Sequence, residues 1–309
     1  MSNLPAKKYK KTNPTITRLC FESTGNATKY IDIARALSIL NRKAYRQGVY
    51  YYVNSVELYN NSDGAIDLYT APDTYVTKNA WNMAFRMHQK MNAQVETPRP
   101  KYHDFKVKLD NLHTDNLTLD PDVYTKSNSG SSVSTSLAPD EWAFSKLTTL
   151  KSDGGDADQF LVHLVGPHQG SEGSWTSLGI IKSYMHSRSY PDPSGEPVVH
   201  SASHSDPLLS MFEASSDDAL EDIRQTLDDD NDQTPYDANK MLGSDNTNLT
   251  HVGRISTTIT TGRTAKISGF CAPFGLIMVD PLNLASDDDW TIVINLAVGT
   301  YNGVYAERA

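Results

Sequence analysis

YYYVNSVELY at residues 50–59, NNSDG at 60–64 and AIDLYT at 65–70 decide the reading of this chain. The first and third segments are rich in Tyr, Val, Ile and Thr, residues that suit a pleated, half-buried surface. The middle segment is a cluster of turn residues ending in Gly64, so the three together predict a β-hairpin. Similar short strand signals recur along the chain. They lie at residues 15–21, 103–109, 159–165, 174–184, 248–260, 275–279 and 290–298, separated by turn-rich segments such as 127–136 and 191–197. About nine strands with uneven connections do not alternate regularly with helices, which argues against a doubly wound parallel sheet. The expected fold is all-β with helical insertions: an antiparallel β-sandwich, best fitted by a single jelly roll.

Three segments carry helical period instead. In residues 28–47, Tyr30, Ile33, Leu37, Leu40 and Ala44 form one apolar stripe, with Gly48 as the stop signal. Residues 77–94 place Trp81, Ala84, Phe85 and His88 on one face, and residues 207–227 read as a third helix. The expected organisation is a basic arm at 1–13 and a shell-like domain at 14–309 with these helices as loop insertions.

Composition narrows the function. No run approaches the roughly 18 apolar residues of a spanning helix, so no membrane partner is expected. The opening residues MSNLPAKKYKKTN lack the apolar core of a secretory signal. Two cysteines, Cys20 and Cys271, allow no disulfide framework and no four-cysteine zinc site. Charge is uneven along the chain. Residues 1–101 hold 15 Lys+Arg against 7 Asp+Glu, a net of +8, whereas residues 102–309 hold 13 against 30, a net of −17. Such asymmetry is the mark of two faces meeting different partners.

No catalytic pattern emerges. There is no Gly-x-Ser-x-Gly elbow, no Walker A loop and no Gly-x-Gly-x-x-Gly. Asp228, Asp230 and Asp232 open like a calcium loop, but position six is Gln233 and position twelve is Asn239. His200 and His204 lie in a Ser- and Pro-rich context without a third ligand. The reading is therefore a non-enzyme, with no cofactor and no metal.

The residues that do carry chemistry are basic. Lys7, Lys8, Lys10 and Lys11 surround Tyr9. Such a run neutralises phosphates and offers one ring for base stacking. Arg18 follows, and Arg35, Arg42, Lys43 and Arg46 lie off the apolar stripe of the first helix. Cations near a helix C-terminus are also favourable on dipole grounds alone. These ten residues form the candidate nucleic-acid-binding set.

Three segments carry a family resemblance: KYIDIARALSILNRKAYRQGVYYYV at 29–53, DTYVTKNAWNMAFRMHQKMN at 73–92 and GFCAPFGLIMV at 269–279. Together they cover under a fifth of the chain. The chain resembles the capsid (coat) proteins of small icosahedral viruses with circular single-stranded DNA genomes. The resemblance implies a self-assembling homo-oligomeric shell, a virion location with assembly in the host cell, and a basic N-terminus facing the packaged genome. Such coats often carry a longer, Arg-rich arm; here there are four lysines and no arginine before Arg18. The alternative is a glycan-binding sandwich, a lectin or receptor-binding module, using Trp142, Trp175, Tyr190 and Tyr236 to stack on sugars.

Overall fold

The computed structural model describes residues 14–93, 104–122, 124–126, 132–134, 142–149, 158–171, 174–187, 242–244, 246, 248–260 and 262–309. The chain begins with β1 (Arg18–Thr24), β2 (Lys29–Asp32) and helix α1 (Ile33–Asn41). The expected hairpin follows as β3 (Val49–Asn60) and β4 (Gly64–Thr70), and then helix α2 (Tyr75–Ala93). Next come β5 (Lys108–Asp110), β6 (Thr118–Leu119), β7 (Tyr124–Lys126) and β8 (Ser132–Ser134). β9 (Lys146–Thr149), β10 (Asp158–Val165), β11 (Gln169–Ser171) and β12 (Ser174–Gly179) lead to helix α3 (Ile180–Ser187). The chain closes with β13 (Thr250–Thr257), β14 (Thr264–Ala272), β15 (Leu276–Leu282), β16 (Asp289–Leu296), β17 (Val298–Tyr301) and β18 (Ala306–Arg308).

The fold is mostly β, with curled antiparallel sheets. Eight strands nest in pairs: β1 with β16, β2 with β15, β3 with β14 and β4 with β13, all antiparallel. Cross-pairing of β16 with β3 and of β15 with β4 joins these into two sheets. One runs β1-β16-β3-β14; the other runs β13-β4-β15-β2, extended by β6. Leu19, Phe21, Val56, Leu58, Trp290 and Ile292 from the first share one core with Ile31, Ile66, Leu68, Ile255 and Ile277 from the second. That sharing follows from period-two alternation, which puts every second side chain on the inner face. Trp290 is fully buried, and its indole N–H donates to the Gly25 carbonyl at 2.9 Å.

Between β4 and β13 lies an insertion with its own core. Its sheet runs β11-β12-β10-β5, with β9 also paired to β10. β10 is parallel to both β12 and β5, so this sheet is mixed, which the strand signals alone did not indicate. Phe105, Phe160, Val162 and Leu178 pack with Ala80, Trp81 and Ala84 of α2 and Ile181 of α3. The same cluster takes in Tyr30, Phe274 and Leu276, so the insertion sits against the outer side of the β2/β15 sheet.

The structure corrects the expected helix over 28–47. Residues 29–32 form β2 instead, because Ile31 and Tyr30 pair with Ile277 and Met278 of β15. The helix starts at Ile33, where the Asp32 carboxylate accepts from the Arg35 N–H at 3.1 Å. It stops at Arg42, which takes the left-handed conformation (φ 49°) and donates its N–H to the Ser38 carbonyl. Gly48 is therefore not its cap. A Cβ there would overlap the Trp81 ring. Replacing Gly48 with Ala is expected to cost about 1–3 kcal/mol through overpacking, read as a lower denaturation midpoint. The strand expected at 174–184 ends at Gly179 and continues as α3. The expected helix at 207–227 and the arm at 1–13 lie outside the described residues. Among the described residues, no helix is long and apolar enough to cross a membrane.

Candidate nucleic-acid interface

The basic candidates meet where the chain enters the sandwich. Asn41, the last residue of α1, accepts from the Ile16 N–H at 2.8 Å and donates to its carbonyl at 3.1 Å. It thereby copies a strand's pairing with one amide side chain. Thr15 donates to the Asn302 carbonyl at 2.6 Å, and Tyr45 donates to the same oxygen at 3.0 Å. Lys43 Nζ donates to the Pro14 carbonyl at 3.0 Å and to Thr15 Oγ1 at 3.1 Å. Lys43 is thus tied directly to the root of the basic arm.

Arg42 is exposed beside it, and Arg46 stands four residues on with its side chain 66% exposed. The backbone around Arg46 is held from two sides. Its N–H donates to the Tyr301 hydroxyl and its carbonyl accepts from the Tyr51 hydroxyl at 2.7 Å. Tyr301 packs edge-on against both Tyr45 and Tyr51. Burial pushes the hydroxyl pKa of all three tyrosines up, so they remain neutral donors.

The other candidates are placed differently. Arg35 lies on the first turn of α1, about 10 Å of helix from Arg42. Its Nε and Nη2 both bond to Asp120, at 2.6 and 3.1 Å, and its side chain is mostly covered. That charge is already neutralised. Arg46 Nε lies 2.8 Å from the Asp104 carboxylate, which offsets its charge too, although in a wetter setting. Arg18 projects from β1, with Glu57 3.8 Å away and Lys266 on the far side of that carboxylate. Lys7, Lys8, Tyr9, Lys10 and Lys11 lie outside the described residues. The structure therefore ties Lys43 to the arm's root, with Arg42 exposed next to it in the chain, and sets Arg18, Arg35 and Arg46 beside acids. Sequence reasoning missed the acids Asp104, Asp120 and Glu57; nothing local marks a carboxylate as the partner of a cation tens of residues away.

A buried polar network lies behind this corner. Asp32 is fully buried and accepts from Gln47 Nε2 at 2.6 Å and from the Trp142 indole N–H at 3.2 Å. Burial pushes the Asp32 carboxyl up, against the pull of these donors. Gln47 Oε1 also accepts from the Val107 N–H at 2.7 Å, so the network joins α1 to the insertion. Lys106 Nζ lies 4.3 Å from the centre of the Trp142 ring. Trp142 is thus buried and bonded, with no open face for stacking on a sugar. Trp175 is half-buried beside His168, and Tyr190 and Tyr236 lie outside the described residues.

The two thiols are free and half-buried, on strands at opposite edges of the β1-β16-β3-β14 sheet. Among the described residues, no group of three or more His, Cys, Asp or Glu is arranged to hold a metal ion. No family model, curated protein or solved structure matches the chain.

Proposed function

We propose that this chain is the structural subunit of a closed, capsid-like shell, built on a single jelly roll, with its basic arm contacting the enclosed nucleic acid. The observation that carries the reading is the nesting of the eight sandwich strands. A long hairpin pairs first with eighth, second with seventh, third with sixth and fourth with fifth. Rolled up, it gives sheets in the order 1-8-3-6 and 2-7-4-5, and that is the order of β1-β16-β3-β14 and β2-β15-β4-β13. Eight strands in two such sheets support the jelly-roll reading, an architecture of viral coats and lectins alike. Because a fold hosts many functions, the choice between them rests on the site. Lys43, with the exposed Arg42 next to it in the chain, converges on the root of an arm that holds four more lysines. That convergence favours a polyanion over a sugar.

Deleting residues 1–13 tests the nucleic-acid half. The deletion is expected to leave folding intact, since Thr15 and Ile16, which anchor the chain, are kept. Affinity for single-stranded DNA should fall, and the log–log salt slope should shrink by up to about 3, at about 0.7 per lysine–phosphate contact. An unchanged slope removes the arm from the interface. Electron microscopy of the parent tests the shell half: closed particles are expected, and a monomer at every salt and pH would refute it.

A further inference from the structure

We infer that two copies of this chain join head to tail, the tip of the β13–β14 connection of one seating in a cleft between the sandwich and the insertion of the next. The inference deepens the shell reading and rests on it.

The tip is an exposed apolar residue between β13 and β14. Ile259 is 91% exposed, far more than any other large hydrophobic side chain among the described residues. The turn beneath it is closed by the Gly262 N–H donating to the Thr258 carbonyl at 2.8 Å, with Gly262 at φ +86°. Gly262 can hold that angle because it has no Cβ. A β-branched side chain on a closed turn loses little freedom on docking. Arg263, also exposed, follows immediately.

The receptor is a cleft of about 400 Å³. Tyr30 and Met278 of the β2/β15 sheet form its floor, and Leu112, Leu117 and Leu249 form its walls. Leu112 is 62% exposed, apolar surface that a lone subunit leaves wet. Two carboxylates border the cleft. Asp110 is already filled, accepting from the Tyr30 hydroxyl and from the N–H groups of Leu112 and His113. Asp280 accepts from Thr28 Oγ1 at 2.9 Å on Oδ1 and is, among the described residues, the charge that remains for a cation. An apolar tip followed by Arg263 complements an apolar cleft bordered by Asp280 in both shape and sign.

The contact cannot form within one chain. Leu249, at the cleft, and Ile259, at the tip, stand at opposite ends of β13, which is paired with β4 along its length. At roughly 3.3 Å per residue they are about 30 Å apart. Different patches on the two partners make the contact heterologous, the kind that closes into rings.

Mixing Ile259→Cys protein with Leu112→Cys protein under mild oxidation tests the contact directly. A two-copy band on non-reducing gels is expected to form at least ten times faster than with Ile259→Cys alone. In parallel, Ile259→Asp, whose circular dichroism should match the parent, is expected to cut particle formation by light scattering at least tenfold. If the parent forms particles, Ile259→Asp forms them equally well and the mixed pair does not cross-link, this contact is overturned and the shell reading stands. A parent that never assembles overturns both.

Discussion

Asp32→Ala is expected to lower the stability of the chain by about 3–5 kcal/mol, more than any change on the surface. Three groups lose their acceptor at once. The Arg35 N–H loses its helix cap, worth about 1 kcal/mol. The Trp142 indole N–H is left buried without a partner, at about 1–3 kcal/mol. Gln47 keeps its bond to the Val107 carbonyl but loses the shorter one to Asp32, adding about 1 kcal/mol. Asp32→Asn should cost less than half as much, because one amide oxygen still accepts and volume is conserved. Urea unfolding followed by tryptophan fluorescence reads both. Equal losses for Ala and Asn would show that one amide oxygen cannot hold the network and that both carboxylate oxygens are needed.

Acid is expected to weaken the fold by a comparable amount through two buried histidines. His113 Nδ1 accepts from the Leu109 N–H at 3.0 Å, so that nitrogen carries no proton, and Nε2 lies 2.8 Å from Thr118 Oγ1. The ring stacks on Tyr30 at 4.2 Å. Burial, with Lys108 and Arg35 nearby, pushes its pKa down to about 3. His163 sits between Ser177 and the Pro167 carbonyl, and burial pushes it down to about 4. Both are depressed below the unfolded value near 6.5, so below that pH the unfolded chain binds more protons than the folded one. Stability is therefore whole above pH 6.5 and falls as pH drops toward 4 and then 3. At about 1.4 kcal/mol per unit and per group, the two together remove about 4 kcal/mol by pH 5. Asp32 and Asp110 act in the opposite sense, since burial raises their pKa and acid relieves the cost of their charge. A variant isolates the histidine share. His113→Asn, whose amide oxygen can accept from Leu109, should lose about 2 kcal/mol less than the parent between pH 7 and pH 5. Parallel pH profiles for parent and variant would remove His113 as a proton-linked group.

The Asp32 network and His113 lie where the insertion meets the sandwich, and that junction was the least legible part of the sequence. Gln47 reads as one more polar residue on an amphipathic helix, yet it is buried and bonded to Asp32 and Val107. Trp142 reads as a loop aromatic, yet its N–H closes the same network. The basic candidates were legible as residue types and their grouping was legible in part. Their neutralisation was not, because Asp120 lies 85 residues from Arg35.

The sequence by itself determined the elements whose signal is local. The β3–β4 hairpin follows from strand-forming residues on either side of NNSDG, and α2 follows from a stripe repeated over five turns. It also determined the mostly β character. Tertiary structure alone decided β2 and β14. Residues 29–32 continue a helical stripe, but pairing with β15, some 250 residues later, makes them a strand. β14 alternates only over Thr264–Ser268 and is exposed or half-buried along most of its length, so its local signal is weak, and its state is set by its register with β3. The physical reason is the same in both cases. A helix satisfies its backbone hydrogen bonds within a few residues, so its pattern is written locally. A strand satisfies them with a partner that can lie anywhere in the chain, and the identity of that partner is settled only when the core closes.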